Sequence, residues 1–266
     1  MIKLEDVYYT YGTGYAVEGV SLKIKEGELA AFVGHNGSGK TTIAKLIAGI
    51  IKPTKGNVFV DELDTRKSKP SDIIKKVGIV FQNPDYQLFE RTVLEEAMFA
   101  LKNMGYVKVK ASEMAIKALE RFGLSAYAQR PPLSLSGGEK RRLTFALVYA
   151  WEPKYIILDE PTVGQDRKNL ENLSVLIKEL IKDGKSVIIT SHDMEFLWPF
   201  NPLTHVVEKG KVVWSGYMKE LFKQTDFSRF NLTEPQLSIM SRKLGLKEPV
   251  LTVEEFAEAI KGVNII

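Results

Sequence analysis

Cysteine is absent from the 266 residues, which excludes disulfides and thiolate metal sites but leaves the cellular compartment open. Long apolar runs are also missing. A membrane-spanning helix needs about 20 apolar residues, and the apolar stretches here, such as residues 155–158 and 187–189, are far shorter. Acidic residues stand at positions 5 and 6, which is unlike a signal peptide. We therefore expect a soluble, intracellular protein that reaches any membrane through a partner.

Neither sign of charge dominates the chain. The formal net charge is +4, and acidic and basic residues are mixed along the sequence. This pattern favours a solvated surface, so we predict no nucleic-acid partner. The basic run Lys140-Arg141-Arg142 is interpreted in the same way, as the solvated face of a helix.

The hydrophobic pattern predicts an α/β protein. Two segments of alternating polarity predict half-buried antiparallel strands at residues 2–9 and 17–24. Continuous apolar runs predict buried strands at residues 29–33, 78–81, 155–158 and 186–190. Helical spacing predicts helices at residues 41–48, 93–103, 110–122, 138–150 and 168–182. Because these strands and helices alternate, we expect a parallel sheet with right-handed crossovers.

The composition changes after about residue 217. A short helix is predicted at residues 217–225, and capping-box patterns at 233–236 and 252–255 predict two more helix starts. We interpret residues 225–266 as a small helical appendage, with a disordered tail as the alternative. Helical spacing of apolar residues favours the appendage; they are Leu237, Met240, Leu244, Phe256 and Ile260.

A phosphate-binding loop is the sharpest motif. Residues 34–41 read Gly-His-Asn-Gly-Ser-Gly-Lys-Thr, which matches the pattern of Gly, four residues and Gly-Lys-Ser/Thr. Glycines let successive N–H groups point inward at phosphates, and the following helix presents its positive end to them. Lys40 is expected to reach the β- and γ-phosphates, and the Thr41 hydroxyl to ligate Mg²⁺. A strand before the loop and a helix after it provide the right context.

Two carboxylates follow the apolar strand at residues 155–158. Buried charge must be paired or ligate a metal, so Asp159 and Glu160 are candidates for chemistry. We expect Asp159 to hold Mg²⁺ through its water shell and Glu160 to polarise the attacking water. The alternative is an ordinary surface turn after a strand.

A second anion site is predicted at the start of another helix, where residues 135–139 read Leu-Ser-Gly-Gly-Glu. One nucleotide cannot use two distant sites on one chain, but it can use one site from each of two chains. Gln82 and His192 each follow a predicted strand of the sheet.

With these motifs in order, residues 1–220 resemble the ABC ATPases, the nucleotide-binding subunits of ATP-binding-cassette transporters. The resemblance implies a P-loop NTPase fold of the ABC type at residues 1–224, with a parallel core sheet, an antiparallel β subdomain and a helical subdomain at about 83–150. It also implies a dimer in which two subunits enclose two ATP molecules.

The resemblance assigns further roles. Tyr11 is implied to stack on adenine, although Tyr8, Tyr9 and Tyr15 compete with it on position. Gln82 is implied to contact Mg²⁺ and to sense a membrane partner, Asp166 to join the two active sites, and His192 to contact the γ-phosphate. Catalysis is thus expected of Glu160, His192, Lys40 and Gln82, and metal binding of Thr41, Gln82 and Asp159. ATP binding is expected of Tyr11, Gly34, Asn36, Gly37, Ser38, Gly39, Lys40, Thr41, Thr42, Ser136, Gly137, Gly138 and Asp166.

The sequence departs from the family pattern in a few places. Glu139 stands where glutamine is usual, which leaves the anion site intact. Gln165 replaces a leucine and Arg167 a proline, which puts the geometry between the two active sites in doubt. No catalytic position is missing.

Residues 81–89, the phosphate loop and the C-terminal extension resemble the ATPases of energy-coupling factor transporters. This branch implies uptake of a vitamin or a transition-metal ion, at the cytoplasmic face of the membrane, by an ATPase dimer bound to a transmembrane coupling protein and a small substrate-binding membrane protein. Residues 83–104 would receive the coupling protein, with Tyr86, Leu88 and Phe89 exposed for it or packed into the helical subdomain. The extension would support dimerisation, and an outward-facing apolar seam would be formed by Leu237, Met240, Leu244, Phe256 and Ile260. The competing functions are a soluble ABC ATPase of DNA repair or translation, and a regulatory module without turnover.

Overall fold

The computed structural model describes residues 1–223, 227–230 and 232–261. Its strands are β1 (Ile2–Thr10), β2 (Tyr15–Ile24), β3 (Leu29–Val33), β4 (Lys55–Val60), β5 (Leu63–Asp64), β6 (Val77–Val80), β7 (Tyr155–Asp159), β8 (Ser186–Ser191), β9 (Leu203–Glu208) and β10 (Lys211–Tyr217). Its helices are α1 (Lys40–Ile47), α2 (Pro70–Ile74), α3 (Val93–Asn103), α4 (Lys108–Arg121), α5 (Gly137–Tyr149), α6 (Arg167–Lys182), α7 (Met194–Leu197), α8 (Met218–Lys223), α9 (Gln236–Lys243) and α10 (Val253–Ile260).

Two sheets form the body of the chain. The larger has the strand order β10-β9-β3-β8-β7-β6. Its strands from β9 to β6 run parallel, and β10 pairs antiparallel at one edge. The smaller, antiparallel sheet has the order β2-β1-β4-β5. The predicted fold class is therefore confirmed, and the buried strands β3, β7 and β8 carry the loops that follow their carboxyl ends.

Three apolar cores hold these layers together. The first lies between the antiparallel sheet, α1 and one face of the parallel sheet, and includes Phe32, Ile43 and Ile157. The second lies on the opposite face beneath α6, and includes Ile177 and Trp198. The third joins α3, α4 and α5 into a helical subdomain around Leu101 and Leu119. The phosphate loop thus emerges from strands that are buried on both faces, which gives it a rigid base.

Four strands were not predicted from the sequence. The strands β4 and β5 complete the antiparallel sheet, and β9 and β10 form a hairpin at the edge of the parallel sheet. The hairpin turns at Lys209 and Gly210, which both have positive φ (47° and 81°). Such a turn normally shows an Asn-Gly or Asp-Gly sequence, so its signal is weak here.

The C-terminal segment docks on the rest of the chain. Trp198 donates from its indole to the carbonyl of Val250 (2.8 Å), and Glu195 accepts from the amide of Gln236 at the start of α9 (2.9 Å). Helix α10 begins as predicted, with Thr252 as its N-cap. The capping box predicted at residues 233–236 is wrong, because the N-cap of α9 is Pro235, whose side chain has no oxygen to accept a hydrogen bond.

The predicted apolar seam of the appendage is only partly free. Leu237 packs against the second core instead of facing outward. Met240 is exposed, and Leu244, Phe256 and Ile260 are half-buried. Residues 224–225, the end of the short helix predicted at 217–225, lie outside the described residues. In the part of the chain that the structure describes, no helix is long and apolar enough to cross a membrane.

Candidate active site

The phosphate loop connects β3 to α1 through backbone conformations that only glycine adopts easily. Gly34 and Gly39 have φ of 149° and 112°. A Cβ on Gly34 would lie 2.2 Å from the carbonyl oxygen of Val207, and one on Gly39 would lie 2.5 Å from that of Ala16. Neighbouring backbone therefore closes tightly on the loop, and a side chain at either position would distort it.

Lys40, the first residue of α1, turns its side chain back into the loop. Its amine donates to the carbonyl oxygens of Gly34 (2.7 Å) and His35 (3.0 Å). It also lies 3.3 Å from Oε1 of Glu160, and both side chains are almost fully buried. A buried cation and a buried carboxylate therefore compensate each other at the centre of the site. The hydroxyl of Ser38, in the same loop, is buried and has no hydrogen-bond partner among the residues that the structure describes.

Asp159, the last residue of β7, lies between two threonine hydroxyls. Its Oδ1 accepts hydrogen bonds from Oγ1 of Thr41 (2.8 Å) and from Oγ1 of Thr190 (2.5 Å). The carboxylate is 3 % exposed, so these donors compensate most of its lost hydration. Thr41 and Asp159, which were predicted as metal ligands from separate motifs, are thus in direct contact.

Glu160 follows in a left-handed backbone conformation, with φ of 46°. Its amide donates to Oγ1 and to the carbonyl oxygen of Thr190, both at 3.0 Å. Its Oε2 lies 2.9 Å from Nδ1 of His192, which follows β8 and keeps about half of its side chain exposed. Three residues that were singled out by separate motifs, Lys40, Glu160 and His192, therefore form one connected cluster.

The cleft around this cluster has a volume of about 460 Å³. It is lined by Tyr11, Ala16, Asn36, Gly37, Gly39, Lys40, Thr41, Thr42, Gln82 and Glu160. Tyr11 is 62 % exposed, and its hydroxyl lies 3.5 Å from Oγ1 of Thr42. The competing tyrosines lie elsewhere: Tyr8 and Tyr15 pack edge to face on each other, and Tyr9 packs against the first core. Of the four tyrosines, Tyr11 is the one that lines the cleft.

The serine-glycine-glycine segment is separate from this cleft. Ser136 is the N-cap of α5 and forms a capping box with Glu139, whose Oε2 accepts from the amide and the hydroxyl of Ser136 (2.8 Å each). These bonds hold the pKa of Glu139 at about 2, so it is ionised at neutral pH. Gly137 and Gly138 line a neighbouring groove with Gln82 and Gln165. We call Ser136, Gly137 and Gly138 the signature residues, and this groove the signature groove. None of the three residues lines the cleft around Lys40.

Asp166 begins the next helix along this surface. It is the N-cap of α6, and its carboxylate accepts from the amide of Asn169 (2.8 Å). Gly164 precedes it with φ of 71°, which brings the chain out of the turn that follows Glu160. Within this chain Asp166 therefore has a capping contact, and it lies beside the signature groove because Asn169 lines that groove.

Arg141 corrects the interpretation of residues 140–142 as a solvated face. Its side chain is 4 % exposed, although Arg142 is exposed as expected. The guanidinium donates to the carbonyl oxygens of Phe81 (2.9 Å), Gln82 (2.6 Å) and Glu160 (3.1 Å). The helical pattern could not reveal these contacts, because their partners are 19 to 60 residues away in sequence.

Thr190 was also missed as a residue of the site. It is fully buried on β8, and it contacts both Asp159 and Glu160. One signal was present in the sequence: a threonine interrupts the end of an apolar strand just before Ser191 and His192. Gln82, in contrast, was predicted, and it is exposed between the cleft and the signature groove.

Comparisons with known proteins point to the same family as the sequence motifs. The model of the ABC transporter family matches residues 17–163. Energy-coupling factor transporter ATP-binding protein EcfA2 of Clostridium acetobutylicum is 39% identical over 278 residues, covering 98% of this chain and 97% of its own length. Among solved structures, cbiO1 of Clostridium perfringens, part of the ABC transporter complex cbiONQ, is 30% identical with a TM-score of 0.74 and covers 98% of both chains.

A further solved structure bears on the nucleotide. It is a dimeric ATP-binding cassette bound to ADP and Pi, with 31% identity and a TM-score of 0.74, and it covers 82% of this chain and 99% of its own. The resemblance inferred from the motifs is thereby confirmed at the level of family and fold. The chain belongs to the ABC transporter family as an ATP-hydrolysing subunit, with the ATP-binding proteins of energy-coupling factor transporters among its relatives.

Proposed function

We propose that this chain binds ATP in the cleft around Lys40 and hydrolyses it as one half of a head-to-tail dimer. The observation that carries the proposal is the cluster of Lys40, Glu160 and His192 beside the Thr41–Asp159 contact. The unpaired hydroxyl of Ser38 and the inward-curled glycines suit phosphate oxygens. Adenine then stacks on the exposed ring of Tyr11, which lines the same cleft.

Within this proposal the residues of the cluster have distinct tasks. Lys40 exchanges part of its contact with Glu160 for the β- and γ-phosphates, because an ammonium binds phosphate strongly. Glu160, released from Lys40 but still held by His192, orients the attacking water and accepts its proton. His192 also has an exposed edge from which it reaches the γ-phosphate.

The residues also fit a magnesium ion. Thr41, Asp159 and Gln82 offer a hydroxyl, a carboxylate and an amide oxygen, and hard oxygen ligands are those that Mg²⁺ prefers. The described residues contain no group of three or more His, Cys, Asp and Glu side chains that would form an all-protein metal site. One or two carboxylates suffice for a Mg²⁺ ion shared with nucleotide phosphates, and Asp159 provides one. The ion, when bound, would offset negative charge on the phosphates.

The second subunit completes the site in this proposal. Ser136, Gly137 and Gly138 do not line their own chain's cleft, yet they form an anion-binding helix start at α5. A partner ATPase, identical or related, therefore supplies them across the interface, and Asp166 lies beside them on the same surface. The dimeric cassette bound to ADP and Pi supports this arrangement by analogy.

We further propose that the dimer acts at the cytoplasmic face of the membrane, where it drives an energy-coupling factor importer for a vitamin or a transition-metal ion. The names of EcfA2 and of the cbiONQ complex support this branch. So does a groove between α2, α3 and α5 that is lined by Tyr86, Phe89 and Phe99. A transmembrane coupling protein docks there and carries the small substrate-binding membrane protein.

The exposure of residues 86, 88 and 89 supports this docking site in part. Tyr86 is 80 % exposed and Phe89 is 61 % exposed, whereas Leu88 is buried in the third core. Phe89 packs edge to face on Phe99 with ring centroids 4.6 Å apart. Two of the three apolar residues are thus available to a membrane partner, and Leu88 anchors their loop. The C-terminal appendage, residues 225–266, is proposed to extend the dimer interface through exposed residues such as Met240 and Val253.

A pull-down of the tagged chain from its native membranes in mild detergent, followed by mass spectrometry, tests the transport proposal. We expect a transmembrane coupling protein, a second ABC ATPase and small membrane proteins to come with it. Recovery of soluble proteins or nucleic acid alone would favour a soluble ABC ATPase of DNA repair or translation. The ATPase activity would then stand and the transport role would not.

A further inference from the structure

Arg141 is a buried charge that the proposed mechanism does not use. It lies in the second turn of α5, and its side chain is 4 % exposed. One guanidinium nitrogen donates to the carbonyl oxygens of Phe81 and Gln82, and the other donates to that of Glu160. The side chain therefore joins the loops that follow β6 and β7 to the helix that begins with the signature residues.

Keeping this charge in the interior is unfavourable in itself. Burial lowers the pKa of Arg141, while the nearby Asp159 acts in the opposite direction. Its Nε has no hydrogen-bond partner within the described residues. Apolar side chains of similar volume often stabilise a protein interior as well as a buried charge does. Packing alone therefore does not account for an arginine at this position, and its three carbonyl partners indicate what it holds.

The partner with the most demanding geometry is Glu160. This residue has φ of 46°, a backbone conformation that residues other than glycine and asparagine seldom adopt. Its amide is held by Thr190, and its carbonyl is held by Arg141. Both peptide groups around its Cα are thereby fixed, and the direction in which its carboxylate leaves the backbone is fixed with them. A carboxylate aimed in this way reaches Lys40 and His192 at once.

We propose that Arg141 is a positioning residue for ATP hydrolysis, which fixes the backbone of Glu160 and of Gln82 relative to helix α5. The inference rests on the proposed role of Glu160 as the residue that activates water. Helix α5 starts at the signature glycines and carries Arg141. Through Arg141, the position of this helix relative to the cleft sets the position of the Glu160 carboxylate. Turnover then depends on Arg141, whereas nucleotide binding through the phosphate loop does not.

Steady-state and binding measurements on Arg141→Gln, Arg141→Lys and the control Arg121→Gln test the proposal. Arg121 is a surface arginine of the same subdomain, paired with Glu179. For Arg141→Gln we expect the Kd for ATP to stay within about twofold and kcat per ATP-binding site to fall about tenfold or more, because small misplacements of a catalytic group are costly. Arg141→Lys, which keeps the charge and some donors, should recover part of kcat. Arg121→Gln should match the wild type.

Two results would overturn the inference. If kcat per ATP-binding site is unchanged in Arg141→Gln, the arginine serves stability alone. If the affinity for ATP, kcat and the melting temperature fall together in both Arg141 variants, its role is in folding. Glu160→Gln is measured in parallel to separate the two ideas. Retained turnover in that variant would refute the proposed role of Glu160 and the inference with it, whereas lost turnover in Glu160→Gln with unchanged kcat in Arg141→Gln would refute the inference alone.

Discussion

Replacing Thr190 with valine removes one hydroxyl from the centre of the site and changes little else. Thr190 is fully buried on β8. Its Oγ1 donates to Oδ1 of Asp159 at 2.5 Å and accepts from the amide of Glu160 at 3.0 Å. Valine has nearly the same shape as threonine, so the substitution leaves the packing in place and removes these two hydrogen bonds.

The size of the effect follows from what each partner retains. The amide of Glu160 keeps the carbonyl of Thr190 as a partner at 3.0 Å. Asp159 keeps only the hydroxyl of Thr41 among these donors, and it is a buried carboxylate. A hydrogen bond to a charged group contributes about 1.5–3 kcal/mol. We therefore expect Thr190→Val to lower the free energy of unfolding by about 2 kcal/mol, mainly through Asp159.

Thr190→Ser is the matched control. Serine keeps the hydroxyl and loses one buried methyl group, which costs about 1 kcal/mol. Turnover should survive in Thr190→Ser and fall in Thr190→Val, because Asp159 and Glu160 both depend on the hydroxyl. The two variants thus separate the loss of a hydrogen bond from the loss of volume.

Urea unfolding followed by the fluorescence of the three tryptophans measures these differences. A double-mutant cycle with Asp159→Asn isolates the interaction between the two side chains, and we expect a coupling energy of about 1 kcal/mol or more. If Thr190→Val is as stable as Thr190→Ser, or if the cycle shows no coupling, the hydroxyl does not support Asp159 and the reasoning fails.

The remaining predictions concern chemistry, pH and assembly. Glu160→Gln should abolish turnover, retain ATP binding and accumulate an ATP-bound dimer in size-exclusion chromatography; a monomer under those conditions would contradict the head-to-tail dimer. Burial lowers the pKa of His205 to about 4, so the unfolded chain binds its proton first as the pH falls. Stability should then drop by about 3 kcal/mol between pH 7 and pH 4, and less in His205→Phe, as measured by urea unfolding at each pH. Phe89→Ala should leave the Kd for ATP unchanged and reduce co-purification of the membrane partner; equal recovery would exclude Phe89 from that interface. Removing residues 225–266 should weaken association without ATP, and light scattering that shows the same mass with and without the segment would refute its role in the dimer.

The parallel core could be predicted because its strands are buried on both faces. Continuous apolar runs give β3, β7 and β8 a signal that does not depend on their neighbours. The missed strands lack that signal. β4 begins with Lys55, and its Gly56 has φ of 81° so that the backbone of Asp6 can approach it closely. That strand is defined by what it packs against, which a single sequence does not display.

The residues of the candidate site also divide into those with a local sequence signal and those without one. Lys40, Thr41, Asp159 and Glu160 lie in short motifs whose chemistry depends on local spacing, so the sequence was sufficient to single them out as candidates. The roles of Thr190 and Arg141 arise from contacts between distant segments. Arg141 was misjudged because a charged residue on a helix is usually solvated. Leu237 was misjudged because helical spacing identifies an apolar face but not the surface that covers it.

Under the proposed function, the pairing of Lys40 with Glu160 would link nucleotide binding to the chemistry that follows. Each of these buried charges would be strongly unfavourable alone, and they compensate each other across 3.3 Å. A γ-phosphate in the cleft would compete with Glu160 for the amine of Lys40. The ammonium has three N–H donors, and two of them are given to the carbonyl oxygens of Gly34 and His35. Arrival of the phosphate therefore weakens the hold of Lys40 on the carboxylate and leaves His192 as its neighbour. By this reasoning the carboxylate becomes available to a water molecule only when the bond to be broken lies beside it, so idle proton transfer in the absence of ATP is disfavoured.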